Sequence, residues 1–255
     1  MTIQSVKRAT DIISLFSSSQ TSLGVTQIAA LLGLNKATAW GLVATLEKQG
    51  FLKQDPDTQK YSVGSKLFEL GMVYVGSLEI NAKASRQVHG LASRTGLNAR
   101  VGIWDGGSVL ITLLALPKAE DSLSHQIGPR IPAYCSGVGK ALLAYLEQDK
   151  LESYLQATEF VRHTRTTIVT PEELLKDLAK TRERGYCISR EEMIPGLVAL
   201  GAPIFGRTRG LVGAASLSGS PAVLTGKHLE KAADELLRTA AEISKEMGYY
   251  KTWHN

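Results

Sequence analysis

The strongest constraint on this chain lies between residues 25 and 63. A short segment carries Ile28, Ala29, Leu31 and Leu32 at helical spacing and stops at Gly33-Leu34. Asn35 is a good N-cap for a longer helix, Lys36 to Gln49, whose apolar stripe is Ala39, Leu42, Val43 and Leu46. Gly50 ends it. Phe51 to Gln54 and Lys60 to Val63 then flank Asp55-Pro56-Asp57-Thr58-Gln59, the composition of a hairpin with a turn at its tip. Upstream, Val6, Ala9, Ile12, Ile13 and Phe16 share one helical stripe. Each helix alone is too short to be stable in water, so the three must share a core. Helix, helix, tight turn, helix and hairpin is the order of a winged helix-turn-helix.

Charge separates this region from the rest. Residues 1–66 hold seven Lys or Arg against four Asp or Glu, so the first quarter carries +3 of the chain's net +5. That asymmetry predicts two domains with different partners, and the basic one hints at nucleic acid.

Beyond Ser65 the pattern changes. Leu67, Leu70, Gly71, Tyr74, Val75 and Leu78 continue a helical stripe with no core of its own in the small domain, which predicts a joining helix that packs against a partner chain. Another helix, 81–94, ends at Thr95-Gly96. Strands follow at 99–104 and 109–116 around Asp105-Gly106-Gly107, and a further strand is expected at 123–127. A helix is expected over 136–146. Thr170-Pro171-Glu172-Glu173 is a strong helix start, and Gly185 stops that helix. Strands at 186–189, 200–205 and 211–218 precede a last helix bearing Leu229, Ala232, Ala233, Leu236, Leu237, Ala240 and Ile243. The expected fold class is α+β: a winged helix-turn-helix at 1–64, a linker helix at 65–80, and a sensor-like domain at 81–255.

Several classes are disfavoured. The two cysteines, Cys135 and Cys187, form no Cys-x-x-Cys pair, and the five histidines are scattered, so no cofactor and no metal is expected. No run of eighteen apolar residues and no secretory signal is present, so a cytoplasmic protein with no membrane partner is expected.

The residues carry a resemblance that spans nearly the whole length. It rests on Gln4-Ser5-Val6-Lys7-Arg8-Ala9, Gly33-Leu34-Asn35-Lys36-Ala37-Thr38, Leu46 to Leu52, Tyr61-Ser62-Val63-Gly64, Gly128 to Ala144, Arg184-Gly185-Tyr186, Arg190-Glu191-Glu192, Gly201-Ala202-Pro203-Ile204 and Ser216-Leu217-Ser218-Gly219. In this order and spacing the chain resembles the isocitrate-lyase-regulator (IclR) family of bacterial transcription factors. The resemblance implies that residues 81–255 form an effector-binding and oligomerisation domain similar to GAF sensor domains, which binds a small metabolite. It also implies homodimers or dimers of dimers on palindromic double-stranded DNA operators. Three positions depart from the family pattern: Gly41 stands where the recognition helix usually carries Arg, and Ser189 and Ala199 stand where acid-binding relatives have Asp and Cys.

Candidate DNA-binding residues are Lys36, Thr38, Trp40, Gly41 and Lys48 on the third helix, with Asn35 at its start and Thr26 and Gln27 on the second. Lys53 and Lys60 on the hairpin and Lys7 and Arg8 on the first helix are candidate phosphate contacts. The bland alternative is a solvated helix face; the helix-turn-helix setting favours DNA. Gly41 is either a drifted position or a site of close backbone approach. Ser136, Gly137 and Val138 open a helix whose amides and dipole suit an anion such as a carboxylate; taken alone, a tight strand-to-helix turn explains them better. Ser216 and Ser218 point the same way from one strand. Leu123, Ile131 and Leu197 are candidate apolar walls, with plain core as the alternative for each, and Ser189 and Ala199 complete the candidate effector site. The competing reading is an enzyme with Cys135 or Ser136 as nucleophile and His125 or His163 as base. No Gly-x-Ser-x-Gly elbow supports it, and no catalytic residue is assigned.

Overall fold

The computed structural model describes residues 2–117 and 129–250. The chain divides into two compact units, Met1–Ser77 and Leu78–Asn255.

In the first unit α1 (Gln4–Ser14), α2 (Val25–Leu31) and α3 (Lys36–Lys48) precede the hairpin β1 (Leu52–Gln54) and β2 (Tyr61–Val63). One core holds them together: Ile12, Leu23, Ile28, Val43, Leu46, Leu52 and Tyr61. Leu23 and Tyr61 exchange backbone hydrogen bonds of 2.9 and 2.8 Å, which ties the approach to α2 onto the wing. Gly33 makes the α2–α3 turn at φ +62°, a conformation that costs a side-chain-bearing residue. Two expected core positions are corrected. Val6 is 58% exposed and Leu31 56%, because α1 and α2 each turn only one narrow stripe inward in so small a unit. Helix α4 (Ser65–Ser77) follows and buries none of its residues.

The second unit is a six-stranded antiparallel sheet in the order β5-β4-β3-β8-β7-β6. Its strands are β3 (Asn98–Asp105), β4 (Ser108–Ala115), β5 (Arg130–Ile131), β6 (Cys187–Arg190), β7 (Val198–Phe205) and β8 (Leu211–Gly219). Helices α5 (Glu79–Thr95) and α9 (Gly226–Glu246) cover one face, packing Val88, Leu91, Leu236 and Ile243 on Val101, Leu200 and Leu217. Helices α6 (Gly137–Tyr145), α7 (Gln148–Ala157) and α8 (Pro171–Arg184) build the other core with Leu142, Leu143, Leu174 and Leu178. Leu78, expected on the linker stripe, instead packs against the α5/α9 core. The start of α8 is capped as its sequence predicts: Thr170 Oγ1 accepts from the Glu173 amide at 3.2 Å. Helix α7 was not anticipated. The expected strand at 123–127, with Leu123 and His125, lies outside the described residues.

Candidate functional site

On α3 the exposed face carries Lys36, Ala37, Trp40, Gly41 and Lys48, with Thr38 half-buried. Trp40 is 62% exposed, an unusual place for so large an apolar ring. A Cβ on Gly41 would meet nothing within 4 Å, so no contact inside the protein demands glycine there. Asn35 Oδ1 accepts from the Thr38 amide at 2.8 Å, and Gln27 Oε1 accepts from the Gly24 amide at 2.9 Å. Both side chains therefore cap helices. Thr26, Lys53 and Lys60 are exposed, as is Lys7, which pairs with Asp11 at 2.7 Å; Arg8 is half-buried.

In the second unit, a cavity lies between the sheet and the start of α6. Strand register builds its floor. Ser189, Ala199 and Ser218 stand abreast on β6, β7 and β8, and Ser216 on β8 faces Arg100 on β3. Their strand neighbours Leu200, Ala215 and Leu217 point into the α5/α9 core, because successive side chains on a strand alternate between faces. Ile131, Cys135, Ser136, Gly137 and Val138 form one side; Met193, Ile194 and Leu197, from the β6–β7 connection, form another. The cavity's volume is about 30 Å³. Every described residue named from the sequence for this site lines the cavity; Leu123 is outside the described residues.

The hydroxyls differ in state. Ser136 Oγ caps α6, accepting from the Gly139 amide at 3.2 Å and donating to Pro132 O at 2.7 Å. The Lys140 amide bonds Ser136 O, so the amides of Gly137 and Val138 precede the intrahelical ladder. Ser189 Oγ donates to Cys135 O at 2.8 Å. Ser218 Oγ accepts from Arg100 Nη1 at 2.7 Å. Ser216, 4% exposed, lines the cavity across the register from Arg100.

Gly137 corrects one expectation. A Cβ there would lie 3.0 Å from Ala199 Cβ and from Leu200 O, so the glycine serves to seat α6 on β7 as much as to bare its amides. Arg100 was missed. Its signal was present in Asn98-Ala99-Arg100-Val101-Gly102, where polar or small residues alternate with apolar ones on a strand buried on both faces.

The nucleophile reading fails on chemistry. Burial pushes the Cys135 thiol up to about 12, which leaves essentially no thiolate near neutral pH. His163 Nε2 lies 3.0 Å from the Tyr134 hydroxyl and is engaged there. No group of three or more His, Cys, Asp or Glu able to hold a metal occurs among the described residues. Among them, no single helix is long and apolar enough to cross a membrane.

Comparison with known proteins fixes the family. Residues 72–245 match the profile described as bacterial transcriptional regulator IclR C-terminal, and residues 5–56 match the IclR helix-turn-helix domain. The chain belongs to the IclR family. It is a DNA-binding transcriptional regulator with a C-terminal effector domain, not an enzyme. It is 33% identical over 251 residues to the HTH-type transcriptional regulator XynR of Escherichia coli K12, covering 97% of this chain and 98% of that one. It is 32% identical over 221 residues to the glycerol operon regulatory protein of Streptomyces coelicolor, covering 86% and 85%. An IclR transcriptional regulator from Alicyclobacillus acidocaldarius superposes with a TM-score of 0.84 at 27% identity, covering 97% and 100%.

Proposed function

We propose that this regulator acts in the cytoplasm on a metabolic operon, and that a small carboxylate in the cavity behind α6 changes its operator affinity. Residues 1–64 read the DNA. Lys36, Thr38, Trp40, Gly41 and Lys48 meet the major groove, while Lys7, Arg8, Lys53 and Lys60 hold phosphates. Thr26 borders this surface, and Asn35 and Gln27 shape it by capping. Gly41, bare and open, lets the α3 backbone approach the bases closely.

The segment 65–80 acts as a linker and dimer contact, and 81–255 as the effector and oligomerisation domain. Phe68 (72% exposed) and Val73 (70%) on α4 are apolar surface that a second copy would cover. A twofold dimer, alone or paired with another, matches a palindromic operator.

The cavity between the sheet and the head of α6, lined by Ser189, Ser216 and Ser218, is the observation that carries the effector reading. The free amides at the head of α6 give the same cavity a preference for anions. The relatives include a glycerol operon regulator, which supports a metabolic target for this one too.

DNA binding is tested by titrating a duplex from upstream of the gene across a salt series. Affinity falls steeply with salt through counterion release, and Lys36→Ala flattens the slope by about one unit. Salt-independent binding, or an unchanged slope in the variant, contradicts the interface.

A further inference from the structure

Helix α3 is built without the side chains that most often distinguish bases. From Lys36 to Lys48 it contains no arginine, asparagine or glutamine. Those are the side chains whose forks pair with guanine or adenine in the major groove. Asn35 and Gln27, which flank it, spend their side-chain oxygens on capping. Thr45 Oγ1 donates to Gly41 O at 2.7 Å, so its hydroxyl is turned back onto the helix. Glu47, a residue type able to accept from cytosine, is half-buried and acts electrostatically on Tyr61 of the hairpin.

The face is instead apolar at its centre and charged at its ends. Ala37, Trp40, Gly41 and Ala44 fall at i, i+3, i+4 and i+7 and so share one side of the helix. The Trp40 ring is 62% exposed, and these neighbours, two alanines and a glycine, are too small to cover it. Lys36 and Lys48, both exposed, stand at the two ends, about 18 Å apart along the axis. Two cations at that separation suit the phosphates that border a groove about 12 Å wide, with the apolar centre over the base edges. The charge at both ends commits this face to DNA rather than to an apolar protein partner.

We propose that Trp40 reads the C5-methyl group of thymine, so that the operator half-site is chosen for T·A at this position by apolar contact. The inference rests on the DNA interface proposed above and names what that interface prefers. The thymine methyl is the apolar feature that a base pair presents in the major groove. Covering it with the indole takes apolar surface of both out of water, which is worth about fourfold in affinity for each methyl. Gly41 supplies the room. A Cβ there would meet nothing within 4 Å inside the protein, and its absence lets the helix come close enough for the ring to reach the base edge.

The test is fluorescence anisotropy of the full-length protein on a duplex from upstream of the gene. The duplex is made once with thymine and once with deoxyuridine at every thymine, which deletes only the methyl groups. Wild type binds the deoxyuridine duplex about fourfold more weakly, or about 16-fold where both half-sites of a twofold operator contribute. Trp40→Ala binds the thymine duplex more weakly by a similar factor and does not distinguish the two duplexes. Trp40→Phe keeps an apolar ring and discriminates in part. The ring is exposed, so these variants fold as wild type does. Trp40→Ala also leaves the salt slope unchanged, since it removes no phosphate contact.

Equal binding of both duplexes by wild type overturns the methyl contact. A loss of equal size in wild type and Trp40→Ala assigns the effect to altered DNA shape and overturns Trp40 as the reader. A Trp40→Ala protein that binds the thymine duplex as wild type does, but changes mass in light scattering, places the ring in a protein interface and also overturns it. Salt-independent binding of wild type to both duplexes is a separate result: it removes the DNA interface itself, and the inference falls with it.

Discussion

Lys140 Nζ lies 2.7 Å from Glu192 Oε1, and this pair ties α6 to the β6–β7 connection that walls the cavity. Lys140 is fully buried; it also meets Asp177 Oδ2 of α8 at 2.9 Å and donates to Ile188 O at 2.7 Å. One side chain thus fixes three elements around the ligand space.

Removing it leaves the Glu192 carboxylate buried without its cation. Lys140→Met therefore destabilises the protein by about 3–5 kcal/mol, read from urea unfolding. The pair also sets an alkaline limit. Burial alone would lower the Lys140 value, but Glu192, Cys187 and Asp177 together outweigh it and hold it above the ordinary 10.5. A raised lysine value gives stability that is complete below 10.5 and lost as pH climbs through the raised value. The stability gap between wild type and Lys140→Met therefore narrows in strong alkali, as Lys140 loses its proton; it narrows toward acid as well, because the Glu192 carboxylate left without its cation takes up a proton. A gap that does not change in strong alkali would show that the pair does not hold the fold.

The cysteines are inert in the folded protein. Burial pushes both Cys135 and Cys187 up to about 12, and Cys187 Sγ also donates to Gly137 O at 2.9 Å. A thiol-reactive disulfide reagent near neutral pH labels neither in native protein and both after denaturation. Rapid native labelling of Cys135 would reopen a chemical role for it.

Seating of α6 depends on Gly201 as well as Gly137. A Cβ at Gly201 would fall 2.0 Å from Gly137 O, a backbone atom with no room to move aside. Gly201→Ala therefore costs about 3 kcal/mol or more, and thermal melting measures it. Gly137→Val also destabilises, through Ala199 and Leu200, so it does not report cleanly on a ligand. A Gly201→Ala protein that melts with wild type would refute this packing.

Capping and base reading separate on α3. Asn35→Ala removes the acceptor for the Thr38 amide and lowers stability by about 1 kcal/mol. Gly41→Ala raises helix stability by a similar amount, because alanine is the better helix former and the position is open. With close backbone approach, Gly41→Ala nonetheless weakens operator binding. Stability and DNA affinity rising together in that variant would remove Gly41 from the interface.

Most of this architecture was readable from residue patterns, for physical reasons. The turn at Gly33, the cap at Asn35 and the start at Thr170-Pro171 are local chemistry, and each appears where its residues stand. Ser216 and Ser218 share a face because strand alternation leaves no other choice. Helix α7 escaped because only Leu151, Tyr154 and Leu155 mark its inner side, a stripe too thin to stand out among Gln, Asp, Lys and Glu. Arg100 escaped for a different reason: an arginine on a strand reads as solvent-facing until the second layer of helices is in place. Leu31 and Val6 were misread inward because periodicity locates a stripe but not its width.

The central claim is that the cavity and the DNA-reading helix are coupled, and equilibrium anisotropy of a labelled upstream duplex tests it most directly. Titrations are run on wild type and Ser216→Val with and without a saturating acid identified calorimetrically. A ligand shifts an equilibrium only through its differential affinity for two states. Wild-type operator affinity therefore changes about 5-fold to 150-fold with the acid, while Ser216→Val binds DNA normally and does not respond. An acid that occupies the cavity yet leaves operator affinity unchanged contradicts the account.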